Sequence, residues 1–485
     1  MSGFVFSLVE NTHLVQHSGG YFLFSEVPLR VLRLNSALFA ALEPLTAGGE
    51  ISLPSGSPPQ LLRSMLTLVS RGYLRLVSPA ELRGYPRVSV IIPVRDQPEE
   101  LAGCLGSLAG LDYPHDNLEV IVVDDGSKEP LTGLTSPLGL KLLRLGKSLG
   151  PAAARNTGVA GSGGDILAFI DADCTASGGW LRELVPFFEL EGIGAVGGFV
   201  ASLYRRSYLD RYEAAFSSLN MGPRVIYQPV RSSSFYVPSC NLLVRRGVFL
   251  ATGGFKGDMH VGEDVDFCWR MRDLGHDLLY VPFGRVAHKH PNHLGKMLER
   301  RWFYGTSEAP LYRAHRVKKK LFPIPIYAGL SFLALVAAVL LFSPYPLLAL
   351  PPLLGADFWQ KSHVLWRLKM PLALKKRLSS VLRGHFSFYY LAFFHLLRYY
   401  FILLVGLGFL WHPVWLLGGL ALIMVSLVDY LVKKPGLPYP VFLYYYTLEH
   451  LAYQVGVFWG CLKRGYFGAY IPAFSVRDAS PKSLL

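Results

Sequence analysis

The sequence predicts an α/β fold with a largely parallel central sheet, followed by helices that enter a membrane. Short apolar runs alternate with helical segments between residues 85 and 310, the pattern of strands joined by crossover helices. Two stretches without a charged residue follow, Leu321–Ala356 and Tyr399–Val428. A bilayer crossing needs about 20 apolar residues, so each stretch is long enough to cross at least once.

Residues 1–84 form a small first unit. Apolar residues alternate early, at Phe4, Phe6 and Leu8, which indicates a strand, and later recur at helical spacing from Leu61 to Val69. The predicted order is strand, strand, helix, loop, helix and a short strand at the end. That order is typical of a winged-helix-like module.

Residues 85–310 form the α/β unit, with predicted strands Val88–Ile92, Val120–Val123 and Leu167–Ile170. The third strand lacks polar alternation, as expected when helices cover both faces of a parallel sheet. The chain of 485 residues is long enough for two or three such units.

Residues 311–485 form a membrane-associated helical region. Basic residues flank its apolar stretches at 313–320, Lys375–Arg377 and Lys433–Lys434. Such residues mark the cytoplasmic side of a membrane and favour anionic lipid, so we expect a cell-membrane protein with a cytoplasmic catalytic unit. Residues 363–400 mix basic and apolar side chains and predict an amphipathic surface helix. The alternatives are buried helices of a soluble protein and, for the net charge of +14, nucleic-acid binding.

The cysteines also indicate a reducing location. The five cysteines are scattered and form no Cys-x-x-Cys pair, which argues against a disulfide framework and a structural zinc site. The N-terminal residues show no basic segment followed by an apolar core, so no signal peptide is expected. Both observations favour the cytoplasm for the first 310 residues.

Polar side chains follow three predicted strands where the strands end. Pro93 ends the first, Asp124 and Asp125 follow the second, and Asp171 and Asp173 follow the third. Ligands of open α/β sheets bind outside these carboxyl ends, and a carboxylate there can accept bonds from a base N–H or from ribose hydroxyls. We therefore expect a nucleotide diphosphate to bind at this edge.

The spacing of Asp171 and Asp173 predicts a cation site. Alternate residues of a strand point to one face, so both carboxylates can approach one ion as the strand opens into a loop. Hard oxygen ligands suit Mg²⁺ or Mn²⁺, which complete their shell with water and substrate phosphates. The alternative is that this Asp-x-Asp only begins a loop or caps a helix.

Two further clusters contribute charged side chains. Arg155, in the segment GPAAARNTG, is placed to face the nucleotide, or else only braces the helix that opens there. Glu263 and Asp264 begin the segment EDVDFCWRMRDL. A carboxylate beside a second one, partly desolvated, has a raised pKa and suits a general base. The two acidic residues also suit the N-terminus of a helix because they complement its dipole.

The ordered motifs SVIIPVRD, VIVVDDGS, GPAAARNTG, FIDADC and GEDVDFCWRMRDLGH resemble those of inverting nucleotide-sugar glycosyltransferases of family 2, with the GT-A fold. The resemblance covers about residues 86–300. It implies that Asp124 or Asp125 holds the base or ribose of the donor and that Asp171 lies near the sugar or ribose. It further implies that Asp173 binds the metal and that Asp264 is the general base.

The resemblance also extends to the acceptor side. In many related sheets a histidine after the last strand is another metal ligand, and we choose His288 over His290, although either suits a plain surface position. Arg301 and Trp302 resemble part of the Gln-x-x-Arg-Trp motif with which processive members hold a glycan. Leu298 replaces the glutamine, so long-polymer synthesis is not expected.

The first 84 residues resemble a PqqD-type peptide-recognition domain, a winged helix that binds a precursor peptide as an added strand. Together with the transferase motifs, they make the chain similar to the mycofactocin-system glycosyltransferases. That resemblance implies transfer of glucose from UDP-glucose to mycofactocin or its precursor, a peptide-derived redox cofactor, as a short β-1,4-glucan. The alternatives are a membrane glycosyltransferase with a lipid or polysaccharide acceptor, and a non-catalytic scaffold.

Overall fold

The computed structural model describes residues 3–17, 20–54, 56–82, 84–132, 138–228, 234–316, 318, 320–370 and 372–477; Lys319 of the basic cluster lies outside them. The strands are β1 (Phe4–Leu8), β2 (Thr12–His17), β3 (Gly20–Glu26), β4 (Leu29–Leu34), β5 (Glu50–Leu53), β6 (Leu74–Ser78), β7 (Val88–Val94), β8 (Leu118–Asp124), β9 (Leu140–Arg144), β10 (Ile166–Ile170), β11 (Cys174–Ala176), β12 (Ile193–Gly197), β13 (Val200–Ser202), β14 (Ile226–Gln228), β15 (Asn241–Arg245), β16 (Asp277–Tyr280), β17 (Val286–His288), β18 (Leu321–Pro325) and β19 (Ala473–Arg477).

The α-helices are α1 (Ser36–Leu42), α2 (Pro59–Ser70), α3 (Pro98–Ala109), α4 (Pro151–Ala160), α5 (Trp180–Leu184), α6 (Tyr208–Phe216), α7 (Arg246–Thr252), α8 (Glu263–Asp273), α9 (Leu294–Ala314), α10 (Ile326–Leu340), α11 (Leu350–Arg367), α12 (Leu374–Gly408), α13 (Pro413–Lys433) and α14 (Tyr439–Arg464). Short 3₁₀ helices lie at Glu43–Ala47, His115–Asn117, Val185–Glu189, Tyr345–Ala349 and Gly468–Tyr470.

The central sheet is mixed rather than fully parallel. Its strands lie in the order β14-β16-β12-β15-β10-β7-β8-β9. The predicted strands are β7, β8 and β10, which pair in parallel and are buried almost throughout. The unpredicted strand β15 runs antiparallel to both β10 and β12. The α/β fold class is therefore confirmed, and the carboxyl ends of β7, β8 and β10 share one edge.

Two close packings bring helices to that edge. A Cβ placed on Gly158 of α4 would lie only 2.6 Å from Ile91 Cγ2 of β7, so the helix packs tightly onto the sheet. Phe169 of β10 contacts Phe255 with ring centroids 5.1 Å apart, and Phe255 contacts Phe267 of α8 at 5.0 Å. Burial of each such ring stabilises the fold by about 1.5–3 kcal/mol. These contacts fix α4 and α8 beside the strand ends.

A small second sheet lies in the same part of the chain. Its order is β11-β17-β13. Strands β11 and β17 run antiparallel, with Cys174 opposite His288, and β13 pairs in parallel with β17. This register brings the residues just after Asp173 beside the end of the last strand.

The N-terminal strands form two sheets, β5-β1-β6 and β2-β3-β4. More strands precede the first helix than the two predicted, because short hairpins connect β2, β3 and β4. Phe4 of β1 contacts Phe187 at a centroid distance of 5.1 Å. Phe22 and Phe24 of β3 pack in a different cluster, with Leu365 and Met370.

The chain divides into two compact units that interleave along the sequence. The first comprises Met1–Ser7, Ile51–Lys296 and Leu311–Lys318, and the second comprises Leu8–Glu50, Met297–Pro310 and Lys319–Leu485. The predicted domains 1–84, 85–310 and 311–485 remain a prediction. The pairing of β1 with β5 and β6 explains why the first residues belong with the α/β unit.

The C-terminal helices differ from the prediction in detail. Among the described residues, two helices are long and apolar enough to cross a membrane, α12 and α13. Helix α10, within the first uncharged stretch, has 15 residues and is short for a crossing of about 20 residues. Residues 363–400 are not one surface helix: α11 ends at Arg367, and α12 continues to Gly408 because its second half is strongly apolar.

Candidate active site

The two carboxylates after β8 have different surroundings, although both are buried. Asp125 accepts hydrogen bonds from the backbone N–H groups of Leu149 (2.7 Å) and Gly150 (3.0 Å) and from Ser148 Oγ (2.8 Å). Asp125 therefore shapes the loop that leads into α4. Since its oxygens are already engaged, Asp125 is the weaker candidate for a ligand contact.

Asp124 retains an oxygen for a ligand. Its Oδ1 accepts from the Ser127 N–H at 2.8 Å. Its Oδ2 makes no hydrogen bond among the described residues and lies 3.4 Å from Arg144 Nη1. A buried oxygen without a donor is costly, so a base N–H or ribose hydroxyl is a fitting partner. Pro93, predicted to end β7, lies half-buried within it and pairs with Val123.

Arg155 of α4 joins two carboxylates that are distant in sequence. Its Nη2 donates to Asp171 Oδ1 at 2.6 Å, and its Nη1 donates to Glu263 Oε1 at 2.9 Å. Although burial acts in the opposite direction, the Asp171 and Glu263 carboxylates raise the pKa of Arg155. Arg155 is 3% exposed, so its guanidinium braces the site from within. The neighbouring Asn156 braces the loop at Phe255 through two hydrogen bonds (2.7 and 3.0 Å).

Asp264 has the electrostatics of a general base. Burial, together with the adjacent Glu263 carboxylate, raises the pKa of Asp264 to about 7. The side chain is partly buried, and its oxygens accept from the N–H groups of Val265 (2.8 Å) and Ser239 (3.3 Å). A carboxylate with a pKa near neutrality can take a proton from an acceptor hydroxyl. Both acidic residues also lie in the first turn of α8, where the helix dipole stabilises their negative charge.

The structure brings the two predicted metal ligands together. His288 Nε2 lies 3.5 Å from Asp173 Oδ1. The ligand atoms of Asp173, Cys174 and His288 all lie within 4.8 Å of one another. Burial raises the pKa of the Cys174 thiol well above its ordinary value. Because thiolates rather than thiols bind metals, Asp173 and His288 are the fitting pair for Mg²⁺ or Mn²⁺.

Arg301 and Trp302, the predicted acceptor residues, belong to the second compact unit. Arg301 is 2% exposed, and its Nε lies 3.4 Å from Glu449 Oε1. Trp302 is half-buried and contacts Phe303 edge-on, with centroids 4.9 Å apart. Arg301 is thus paired with a carboxylate of its own unit, and its acceptor role remains a prediction.

Two residues near the site were missed from the sequence. Ser239 donates its backbone N–H to Asp264, and Cys174 lies beside the predicted ligands. No local pattern marks Ser239, because the contact depends on the antiparallel strand β15 that follows it. Cys174 is the last residue of the motif FIDADC, but its position beside His288 depends on the register of β11 with β17.

Comparison with known proteins finds a matching family model and related sequences. A family model described as glycosyl transferase family 2 matches residues 89–251. A pre-mycofactocin glycosyltransferase from Mycobacterium tuberculosis is 39% identical over 258 residues, which are 52% of this chain and 52% of the relative. The glycosyltransferase AglE from Haloferax volcanii is 30% identical over 257 residues, 51% of this chain and 82% of the relative.

This chain therefore spans about half the length of the mycobacterial relative and most of AglE. Among solved structures, a mannosyltransferase, PcManGT from Pyrobaculum calidifontis in complex with GDP-Man and Mn²⁺, is similar at 18% identity and a TM-score of 0.37. That match covers 72% of this chain and 95% of the other. Such a TM-score is too low to transfer a ligand or a residue's role.

Proposed function

The chain belongs to glycosyltransferase family 2, and on that premise we propose that it transfers glucose from UDP-glucose to mycofactocin or its precursor. The product is a short β-1,4-glucan on a peptide-derived redox cofactor. The acceptor follows from similarity to the pre-mycofactocin glycosyltransferase. The donor and the linkage follow from the resemblance of the sequence motifs.

One observation supports a single transfer site above all others. The Arg155 guanidinium binds Asp171, at the end of β10, and Glu263, at the start of α8. A buried cation therefore holds Asp171 close to Glu263, the residue directly before the proposed base. A donor bound at the strand ends would then lie beside Asp264.

In the proposed reaction, an acceptor hydroxyl oxygen attacks C1 of the sugar as the bond from C1 to the diphosphate breaks. Asp264 takes the hydroxyl proton, because its raised pKa matches that task at neutral pH. Attack from the face opposite the leaving group inverts the anomeric centre, so an α-linked donor gives a β product. Glu263 maintains the pKa of Asp264 and is itself held by Arg155.

Asp173 and His288 are the residues proposed to hold Mg²⁺ or Mn²⁺, which supplies positive charge toward the departing diphosphate. Their ligand atoms, a carboxylate oxygen and an imidazole nitrogen, suit Mn²⁺ and can also coordinate Mg²⁺. Asp124 is proposed to accept a base N–H or ribose hydroxyl through Oδ2, which accepts no hydrogen bond among the described residues. Pro93 and Asp125 are proposed to shape the loops around the nucleotide.

The proposal includes a location at the cell membrane, with the catalytic unit in the cytoplasm and lipid around α12 and α13. Two helices of sufficient length and apolarity support the location, and the basic flanks support the orientation. A cysteine placed at Lys375 tests the orientation, because the five native cysteines are buried. Labelling by an impermeant maleimide only in inverted vesicles is expected; labelling of intact cells contradicts it.

The decisive experiment is transfer from labelled UDP-glucose to premycofactocin by the full chain in detergent, with Mn²⁺, with Mg²⁺ and with a chelator. Metal-dependent mass increments of one hexose are expected, and NMR of the product reports the β configuration. The alternative function, transfer to a lipid or polysaccharide acceptor, is favoured by the apolar helices. Label in the lipid fraction with none on premycofactocin would replace the proposed acceptor.

A further inference from the structure

A buried carboxylate beside the metal residues has no role in the reaction described above. Glu213 lies on α6, and its side chain is 0% exposed. Its Oε2 lies 3.9 Å from Nδ1 of His290, whose side chain is 4% exposed. A fully buried carboxylate is costly unless a partner compensates it. His290 is therefore one of the groups that this carboxylate faces inside the fold.

His290 connects Glu213 to the proposed metal ligand. His290 lies two residues after His288, just beyond the end of β17. Their rings are stacked, with centroids 4.9 Å apart and planes inclined by 25°. The His288 ring also faces Asp173, since its Nε2 lies 3.5 Å from Asp173 Oδ1. The four side chains thus lie in a row, from Glu213 through the two stacked imidazoles to Asp173.

We propose that Glu213 is a positioning residue of the metal site: it fixes the ring of His290, which in turn fixes the direction of His288 Nε2 toward the ion. The groups that orient a ligating histidine tune metal affinity, and their loss typically costs about 10- to 100-fold. Here the carboxylate acts through a second imidazole instead of bonding the ligand directly. This inference rests on the proposed metal-dependent function.

The start of α6 offers a matched control on the same helix. Asp210 is also buried, but its carboxylate accepts from the backbone N–H groups of Arg206 (3.1 Å) and Ser207 (2.9 Å) in an N-terminal capping box. Asp210→Asn therefore disturbs α6 by the same isosteric change as Glu213→Gln, three residues earlier. It leaves the contact with His290 intact.

The test is Mn²⁺ binding by the full chain in detergent, with UDP as the nucleotide, measured from the electron paramagnetic resonance of free Mn²⁺. Glu213→Gln is expected to weaken Mn²⁺ binding about 10- to 100-fold, whereas Asp210→Asn binds as the wild type does. His290→Ala is expected to cause the same loss. Glu213→Gln added to His290→Ala is expected to cause no more, since Glu213 acts through that ring.

Each other outcome counts against the proposal. Wild-type Mn²⁺ affinity in a folded Glu213→Gln protein overturns it, and equal losses in Glu213→Gln and Asp210→Asn reduce Glu213 to a structural role. If Glu213→Gln does not fold, the Mn²⁺ affinity of His290→Ala tests the proposal, and wild-type affinity in that variant overturns it. If the wild type does not bind Mn²⁺, the proposed metal site is wrong. If that same protein still transfers sugar in chelator, the transferase proposal stands without the metal.

Discussion

Arg155 Nη1 lies 2.9 Å from Glu263 Oε1, although 108 residues of chain separate the two. The same guanidinium binds Asp171. Arg155 thereby connects α4, which packs on the parallel strands, to α8, whose first residue, Glu263, directly precedes the proposed base. The site is built around a buried cation, which makes its geometry depend on charge balance as much as on packing.

Arg155→Met is expected to destabilise the protein by about 3–5 kcal/mol, because loss of the cation leaves the buried Glu263 and the partly exposed Asp171 uncompensated. The corresponding fall in Tm is roughly 6–20 °C, measured by thermal denaturation in detergent. Arg182→Met is the control, since Arg182 and its partner Asp112 are both more than half exposed; its effect is expected within about 0.5 kcal/mol. Equal effects of the two substitutions would show that the Arg155 bridge adds no stability.

The parallel half of the sheet was predictable because its strands are continuous apolar runs, which end at Val94, Asp124 and Ile170. The antiparallel strand β15 was not predicted: Asn241–Arg245 is a short run whose direction depends on long-range pairing with β10 and β12. The interleaving of the compact units also depends on pairings between β1, β5 and β6. Residue spacing carries no information on such distant partners.

The site shows the same division between local and distant signals. Asp173 and Asp264 were identifiable because motifs mark them, and the structure surrounds each with groups suited to its proposed role. The bridge through Arg155 was not foreseen, since the sequence indicated either a nucleotide contact or a brace. Arg301 was expected near an acceptor, yet its guanidinium lies against Glu449. Sequence motifs identify a residue type, but the charged group that pairs with that residue depends on the fold.

Sugar transfer is expected to fall as the pH drops through about 7, because the proposed base acts only when it is deprotonated. Burial and the Glu263 carboxylate raise the pKa of Asp264 to that value. Glu263→Gln removes the negative neighbour, so the pKa falls and the acid limb of kcat/KM moves down by roughly one pH unit. Glu99→Gln, at an exposed carboxylate of α3, is the control. A limb that stays in place in Glu263→Gln would contradict the assignment.

Asp264→Asn is expected to abolish transfer while stabilising the fold above pH 7. The pKa of Asp264 is raised from an ordinary 3.8 to about 7, so the folded state loses stability as the pH rises between these values. The neutral amide avoids that cost, and Tm rises by about 2–4 °C for each kcal/mol recovered. Melts at pH 8 and pH 5 should show a gain that shrinks at the lower pH. A gain that is equal at both values would exclude charge burial as its cause.

Asp173→Ala is expected to weaken Mn²⁺-dependent UDP binding by more than about 10-fold, because one of two proposed protein ligands is lost. Binding of UDP in chelator should not change. Isothermal titration with and without Mn²⁺ separates the two effects, and Asp112→Ala, at an exposed carboxylate, is the matched control. Full transfer by the wild type in chelator would show that no metal is needed.

Gly456→Ala and Gly460→Ala are expected to destabilise the helical unit strongly. A Cβ on Gly456 would lie 2.1 Å from the backbone oxygen of Trp302, and one on Gly460 would lie 2.5 Å from that of Thr306, so α14 and α9 cross backbone to backbone. Small residues four apart allow such crossings. The clash is expected to cost about 2–3 kcal/mol, or roughly 4–12 °C in Tm.

Gly419 of α13 supplies the control for this crossing, because a Cβ there would meet nothing within 4 Å. Gly419→Ala is therefore expected to leave the Tm unchanged or to raise it slightly, since alanine stabilises a helix by about 0.5–1 kcal/mol relative to glycine. Thermal melts of the three variants in one detergent make the comparison. If Gly456→Ala and Gly419→Ala had the same Tm, the close approach of α9 to α14 would be wrong.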